Sequence, residues 1–582
     1  MEKLLFIVPM HITMESFLNP GSNSRSYKKA DGKDYNSLST DLPLGPLSMS
    51  AYIKQFTDIE VKLVDYNVEL NHVKEFPYTK FYDYCYDHLS KIDFKPTIVG
   101  VSSLFSPSFD NFMDCASVSK KIWPDALIIG GGNIPTNDYE YIYNTLNFND
   151  FDALCYGEGE KPLKELLLSK NREEYLKNSK SWITKDKLKK EVEFKPKHDF
   201  IEDLDEIPFF DYDLCDIEKA SVNPNITSFH NVAGDFGFHI MTSRGCPYLC
   251  TFCASHKTHG RKMRYHSVKR VREDLTRLKK FYGAKTVVFQ DDHLMSSKER
   301  VYDLLDIVGD LGLGSLYQNG LTLYALDRPM LEAFYKAGVR HLVLPVESGS
   351  SKVLKHQMKK PLKFGISERV AIDCRDLGIY TNTNIIIGMP GETKQDLEDS
   401  RFNLRKIKTN WFNIGCASPL VGSEMHDLAQ MNGYITDQTR GSDYHVATIK
   451  TEDFTPEYIQ RFQYIMNLEL NFIYNSDLEY EAYETGLIGF SNVTRIRPDH
   501  AFGHYFSSVC YKNLGDQENF EKSKENFIKY SKTKFWNDWL EFFNLPRKPE
   551  DFTFKMTDKP EIPETIGNSE TNKVASLSLS AK

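Results

Sequence analysis

Three cysteines in the stretch SRGCPYLCTFCASH, namely Cys246, Cys250 and Cys253, follow the spacing C-x-x-x-C-x-x-C. Two would suggest a disulfide or a redox pair, and four would suggest zinc. Three thiolates on one loop can hold three irons of a cubane 4Fe–4S cluster and leave the fourth iron open to a reactant. The competing readings are a zinc site completed by a distant ligand, and three unrelated thiols. The other seven of the ten cysteines are scattered. No secretory leader is expected in MEKLLFIVPM and no apolar run of membrane-spanning length occurs, so the expectation is a cytoplasmic chain with reduced thiols.

A cluster loop needs a rigid frame, and the apolar pattern supplies one. Short apolar runs recur at Leu4–Pro9, Val61–Tyr66, Ile98–Ser103, Ala126–Gly131 and Ala153–Gly157. Such runs are strands buried on both faces, hence a parallel sheet under helices. Gly and Pro gather just after them (SPS, GGGNIPT, GEGE), which places a ligand cleft at the carboxyl edge. No G-x-G-x-x-G dinucleotide fingerprint is present. A second strand–helix series follows at Phe236–Ser243, Lys285–Gln290, Ser315–Gly320, His341–Val346, Asn382–Gly388 and Phe412–Ser418. Six units can curl into an open barrel whose chemistry lies at the strand ends. Ser267 and Gly283 bracket a helix with apolar residues at Val268, Val271, Leu275 and Leu278.

The fold class expected is α/β, in five regions. These are a Rossmann-like domain over 1–165, a Lys-rich linker over 166–235, a partial (β/α)6 barrel over 236–430, a helical region over 431–557 and a polar, disordered tail over 558–582. The length of 582 residues predicts about three or four domains. Within the helical region, Asp499–Lys532 resembles one tetratricopeptide helix-turn-helix unit, too little for an array. The net charge of −9 disfavours nucleic acid as the main partner. The basic stretch His256–Lys280, with ten Lys or Arg against two acids, reads as a solvated helix face beside an anionic site.

The cysteine loop resembles the signature of radical S-adenosylmethionine (SAM) enzymes, and the resemblance continues through the barrel in FQDDHL, PVESGS, IIIGMPGET and ASPLVGSEM. It implies that Cys246, Cys250 and Cys253 ligate the cluster. It also implies that Phe252, Asp291, Asp292, Glu347, Ser348, Asn384, Gly388, Pro390 and Gly391 contact SAM, with backbone N–H groups of the Gly-Pro-Gly turn meeting adenine. The first domain is similar to the cobalamin-binding domain fused to many of these enzymes, in LPLGPLSMSAYIKQF, VSSLFSP, GGGNIPT and YGEGEKPLKELL. That implies cobalamin contacts at Leu44, Gly45, Ser102, Ser103, Leu104, Phe105, Gly130, Gly131, Gly132, Asn133, Gly157, Glu158, Gly159 and Glu160. The D-x-H-x-x-G motif that supplies a lower cobalt ligand in some such domains is absent, so no His ligand is expected and Leu104 or Phe105 would cover that face.

The function implied is a cobalamin-dependent radical SAM methyltransferase. It would cleave SAM at the cluster to a 5′-deoxyadenosyl radical and move a methyl group from methylcobalamin to an unactivated carbon of a small, natural-product-like molecule. A reductant such as flavodoxin or ferredoxin is its expected partner. The alternatives are a radical cyclase or carbon–carbon bond-forming enzyme without methyl transfer, and an iron–sulfur sensor or interaction protein.

Overall fold

In the computed structural model, residues 2–20, 26–190, 194–221, 236–436 and 446–557 are described. The first apolar runs form a sheet of β1 (Lys3–Val8), β2 (Glu60–Asp65), β3 (Ile98–Ser103), β4 (Leu127–Gly132), β5 (Ala153–Cys155) and β6 (Trp182–Ile183). The order is β2-β1-β3-β4-β5-β6, parallel except for the antiparallel β6. The central strands are buried along nearly their whole length, as their unbroken apolar runs require. The edge strand β2 alternates exposed and half-buried residues before ending buried.

The linker expected from residue 166 starts later than that. The helix Glu160–Leu168, the helix Arg172–Asn178 and β6 all belong to the sheet domain. Trp182 and Ile183 are buried although lysines surround them, because they cover the β5 edge. The chain then crosses to the barrel, with Ile201, Leu204, Ile207 and Tyr212 packed among barrel residues. The stretch 222–235 lies outside the described residues, as does the tail from Asp558 that was expected to be disordered.

The barrel strands are β7 (Gly237–Ile240), β8 (Thr286–Phe289), β9 (Gly314–Tyr317), β10 (His341–Glu347), β11 (Tyr380–Ile387) and β12 (Trp411–Cys416). They form two parallel three-stranded sheets, β9-β8-β7 and β10-β11-β12, that abut at β9 and β10. Helices pack outside, among them Val268–Tyr282 with Ser267 accepting from the Arg270 N–H and Gly283 in the left-handed region at φ 64°. The closure is incomplete, so β7 and β12 present edges, and side chains cover both. Tyr212 donates its hydroxyl to the His239 carbonyl at 2.7 Å. On β12, Asn471 accepts from the Phe412 N–H at 2.7 Å and donates to the Phe412 carbonyl at 2.9 Å.

The covering residue Asn471 belongs to the helical region that follows. Its aromatic cluster centres on the buried helix Ala501–Leu514, which packs against Gln517–Tyr530 across a left-handed Gly515 and against Tyr483–Ile496 on its other side. Arg401 from a barrel helix reaches Glu469, and both side chains are fully buried. This charge pair and the Trp411 contacts with Phe472 and Phe490 bind the helices to the barrel. No helix among the described residues is long and apolar enough to cross a membrane.

Candidate active site

The cysteine loop leaves β7 through Thr242 and Ser243, and Asp291 fixes that exit. Its buried carboxylate accepts from the Thr242 hydroxyl at 2.7 Å, the Ser243 hydroxyl at 2.5 Å and the Thr242 N–H at 3.2 Å. Asp291, expected at SAM, is therefore committed to the strand end. Its neighbour Asp292 is half-buried and accepts from the Gly245 N–H at 3.0 Å, one residue before Cys246. Gly245 adopts φ 94°, and an added Cβ would stand 2.3 Å from the Lys262 carbonyl, so only glycine fits there.

The loop is stitched down on several sides. Ser243–Arg244 pairs antiparallel with Arg264–Tyr265 to form its neck. The Cys246 N–H donates to the Gly260 carbonyl, the Thr251 N–H to the Met358 carbonyl and the Met425 N–H to the Thr251 carbonyl. The segments that follow β10 and β12 thus grip the loop. The half-buried Phe252 packs against the barrel core.

Cys246, Cys250 and Cys253 are free and half-buried. Burial pushes the Cys246 thiol up to about 12, aided by the neighbouring cysteines. Burial raises Cys250 as well, while Lys360 opposes the rise. Among the described residues no three His, Cys, Asp or Glu side chains converge on one ion. A four-iron cluster needs no such convergence, since it holds its thiolates on separate corners. The donor set on this loop, three thiols and no fourth, fits that group.

Around the loop, β10 ends in a bulge at Pro345–Glu347, and Glu347 takes the left-handed conformation at φ 69°. Strain of this kind in a non-glycine residue persists where the surroundings impose it, typically at ligand sites. Lys360 donates to the Glu347 carboxylate at 3.0 Å, a contact no spacing pattern signals. Ser348 meets the Ser400 hydroxyl at 3.1 Å. On β11, Asn384 faces away from the packed helical layer and accepts from Asn413 at 3.1 Å.

The turn Gly388–Gly391 bends through two positive φ values, 84° and 79°. Its first two N–H groups, of Gly388 and Met389, donate to Glu392 at 2.7 and 3.0 Å. They are not left for adenine as the sequence reading expected. The Gly391 carbonyl accepts from Gln357 at 3.0 Å, and Pro390 sits between these anchors. Burial raises the Glu392 carboxyl to about 8, against its two N–H donors.

The N-terminal sheet brings its carboxyl edge to the same region. The three glycines that end β4 differ in role. At Gly130 a Cβ would meet Leu154 and Phe112 within 2.8 Å, Gly132 has φ 98°, and at Gly131 an added Cβ meets nothing within 4 Å. Beside them, Leu104 is 56% exposed and Phe105 39%. The pair forms an apolar platform over which His11 lies edge-on at 4.8 Å from Phe105. Ser103 contacts Ser108, whose hydroxyl donates to the Phe105 carbonyl at 2.6 Å. Gly45, in the helix Leu44–Ile53, faces Ser102 with 4.0 Å of room for a Cβ.

Asn133 links the two domains, donating to the Leu104 carbonyl at 3.1 Å and accepting from Thr258 just beyond the cysteines. A bare glycine, exposed apolar side chains and backbone polar groups suit a flat, largely apolar macrocycle. Glu158 and Glu160 depart from their expected role. Their carboxylates are buried against Arg244, Arg264 and His259 of the barrel, so only the backbone of Gly157–Glu160 is left for a ligand. Gly157 and Gly159 are hemmed by His198 and Met49. Sequence reasoning missed Arg244, Arg264 and Lys360. For the arginines the one signal is their place on either side of the cysteines.

Residues 240–402 match the radical SAM superfamily model and residues 42–167 match the B12 binding domain model. The chain is 28% identical over 431 residues to an uncharacterized methyltransferase of Pyrococcus horikoshii, covering 72% of this chain and 86% of that protein. It is 26% identical over 371 residues to cytidylyl-2-hydroxyethylphosphonate methyltransferase of Streptomyces wedmorensis, covering 59% and 68%. Its fold matches the solved structure of OxsB, a cobalamin-dependent SAM radical enzyme with aqua-cobalamin and SAM bound. The TM-score is 0.58 at 15% identity, over 100% of this chain and 79% of that one. The chain thus carries a region that matches the radical SAM superfamily, preceded by one that matches the B12 binding domain.

Proposed function

We propose that this chain is a cobalamin-dependent radical SAM methyltransferase acting on an unactivated carbon of a small molecule. The observation that carries the reading is the meeting of two carboxyl edges. The three-cysteine loop at the end of β7 touches the glycine-rich end of β4 through Thr258 and Asn133. Both relatives described above are named as methyltransferases, and the solved relative of the same fold holds cobalamin together with SAM.

When bound, the cluster and SAM supply a 5′-deoxyadenosyl radical and methylcobalamin supplies the methyl group. The chain's own part is to bind, orient and exclude water. Cys246, Cys250 and Cys253 would release their thiol protons to solvent and hold three irons as thiolates. Asp292, fixed one residue from Cys246, would accept from the SAM ammonium. Glu347 and Lys360 would offer an acceptor and a cation to the ribose and carboxylate. Ser348 and Asn384 would add hydrogen bonds, and the Gly388–Gly391 turn would give a close backbone surface, through its shape rather than through its first two N–H groups. Leu104, Phe105 and Gly131 would carry the corrin, with Ser102, Ser103 and the backbone of Gly157–Glu160 along its rim.

The test is anaerobic production with ample cobalamin, followed by SAM and a flavodoxin- or ferredoxin-type reductant. The expected result is bound cobalamin, 5′-deoxyadenosine, and products that gain one CH2 each. Protein that never takes up cobalamin refutes methyl transfer by this route. Cobalamin-bound protein whose products gain no CH2 favours the cyclase class.

A further inference from the structure

A buried cluster of five charged or titratable side chains lies at the neck of the cysteine loop. Glu158, after β5 of the N-terminal sheet, accepts from Arg264 in a two-pronged pair, at 2.6 Å on Oε1 and 2.9 Å on Oε2. Arg244 Nη1 stands 3.1 Å from Glu158 Oε2, and His259 Nδ1 meets Oε1 at 2.8 Å. Glu160 takes the other end of Arg244 at 2.6 Å and is itself bonded by the Ser48 hydroxyl at 2.6 Å. The two arginines face each other across the antiparallel neck, and all three cysteines lie between them in sequence. The side chains of Arg244, Arg264, Glu158 and Glu160 are 2–5% exposed.

Charges this deep keep their geometry only while paired, and removing one partner leaves the others uncompensated. Burial works against the ionisation of Glu158, yet Arg244, Arg264 and His259 hold its carboxyl well below the usual range. Arg264 also stacks on Phe200 at 4.1 Å and donates to the Ile201 carbonyl at 2.9 Å, which orients it toward Glu158. Phe200 and Ile201 belong to the segment joining the two domains. Every strong partner of the neck arginines therefore comes from the neck itself, the N-terminal domain or that connecting segment.

We infer that Glu158, backed by Glu160, is a positioning residue for the cysteine loop: the N-terminal domain clamps the neck, so the three thiols take their ligating arrangement only when that domain is docked. The inference rests on the cluster reading proposed above, and two separate readouts tell the two apart. Hydrogen exchange of the amides 244–265 is measured on the full-length, iron-free chain for wild type, Glu158→Gln, Arg264→Lys and Glu202→Gln. Glu202 pairs with Lys262 on the exposed outside of the same loop and serves as control. The expected result is exchange at least about tenfold faster in Glu158→Gln, as a 1.4 kcal/mol loss produces, a smaller rise in Arg264→Lys, and none in Glu202→Gln or in the helix 298–311.

Iron uptake and the electron paramagnetic resonance of the reduced cluster, with and without SAM, are then compared. Glu158→Gln is expected to hold less iron and to lose the spectral change that SAM induces in wild type. Exchange and spectra equal to wild type overturn the inference. So does loss of protection throughout the chain in both neck variants, since the residue would then act on general stability. If the exchange effect appears but wild type takes up no iron, the cluster reading fails and the positioning role stands.

Discussion

Glu392 offers a quantitative test of the turn beside the SAM site. Its carboxyl is fully buried, with Oε2 accepting from the Gly388 and Met389 N–H groups and Oε1 without a hydrogen-bond partner. Burial, opposed by those two donors, raises it from 4.5 to about 8. The folded chain therefore keeps this proton at neutral pH while the unfolded chain has lost it. Between pH 4.5 and about 8 the folded state binds more protons, so stability falls as pH rises through that window and levels off above it. At about 1.4 kcal/mol per pH unit over roughly 3.5 units, the upper bound is about 5 kcal/mol.

Glu392→Gln keeps the acceptor for both N–H groups and removes the titration. The variant should match wild type near pH 5 and gain on it by about 1.4 kcal/mol per unit to pH 8. Urea unfolding followed by tryptophan emission, with Trp411 on the strand beside β11, reads the difference at pH 5, 6.5, 8 and 9. Parallel pH profiles for the two proteins would refute the argument.

Three further outcomes follow from the geometry. At Gly131 a Cβ enters open space, so Gly131→Leu should fill the platform and lose cobalamin absorbance while iron content is unchanged; retained cobalamin would remove the platform from Gly131. Lys360→Met takes away the cation beside Glu347 and Cys250, and equilibrium dialysis should show SAM binding weaker by about tenfold with the cluster intact. Glu469→Gln takes the shared carboxylate from buried Arg401 and Arg405, with Arg401 still paired to Glu398, and should cost up to about 3–5 kcal/mol in denaturant titration. Glu541→Gln, at the exposed pair with Arg547, should cost under about 1 kcal/mol.

The frame of both domains was legible because parallel strands buried on two faces must be continuous apolar runs, and Ile98–Ser103 was placed to the residue. Trp182–Ile183 escaped because a two-residue edge strand between lysines carries no period, and its pairing with β5 is tertiary. The cysteine loop was legible from spacing alone. Which member of the pair Asp291 and Asp292 faces the loop was not, since that depends on how β8 enters its turn. Glu158 was read as a cofactor contact because its motif belongs to the first domain. Its arginine partner lies 106 residues away, and charge pairing at that separation leaves no local trace.

The account depends most on an iron corner that the protein leaves open. Full-length chain, reconstituted anaerobically with iron and sulfide and then reduced, should hold about four irons per chain, as a Cys-ligated cubane requires. Its electron paramagnetic resonance should change when SAM is added, and Cys246→Ala should abolish the cluster. A zinc-filled site, or a reduced cluster whose spectrum ignores SAM, would contradict it.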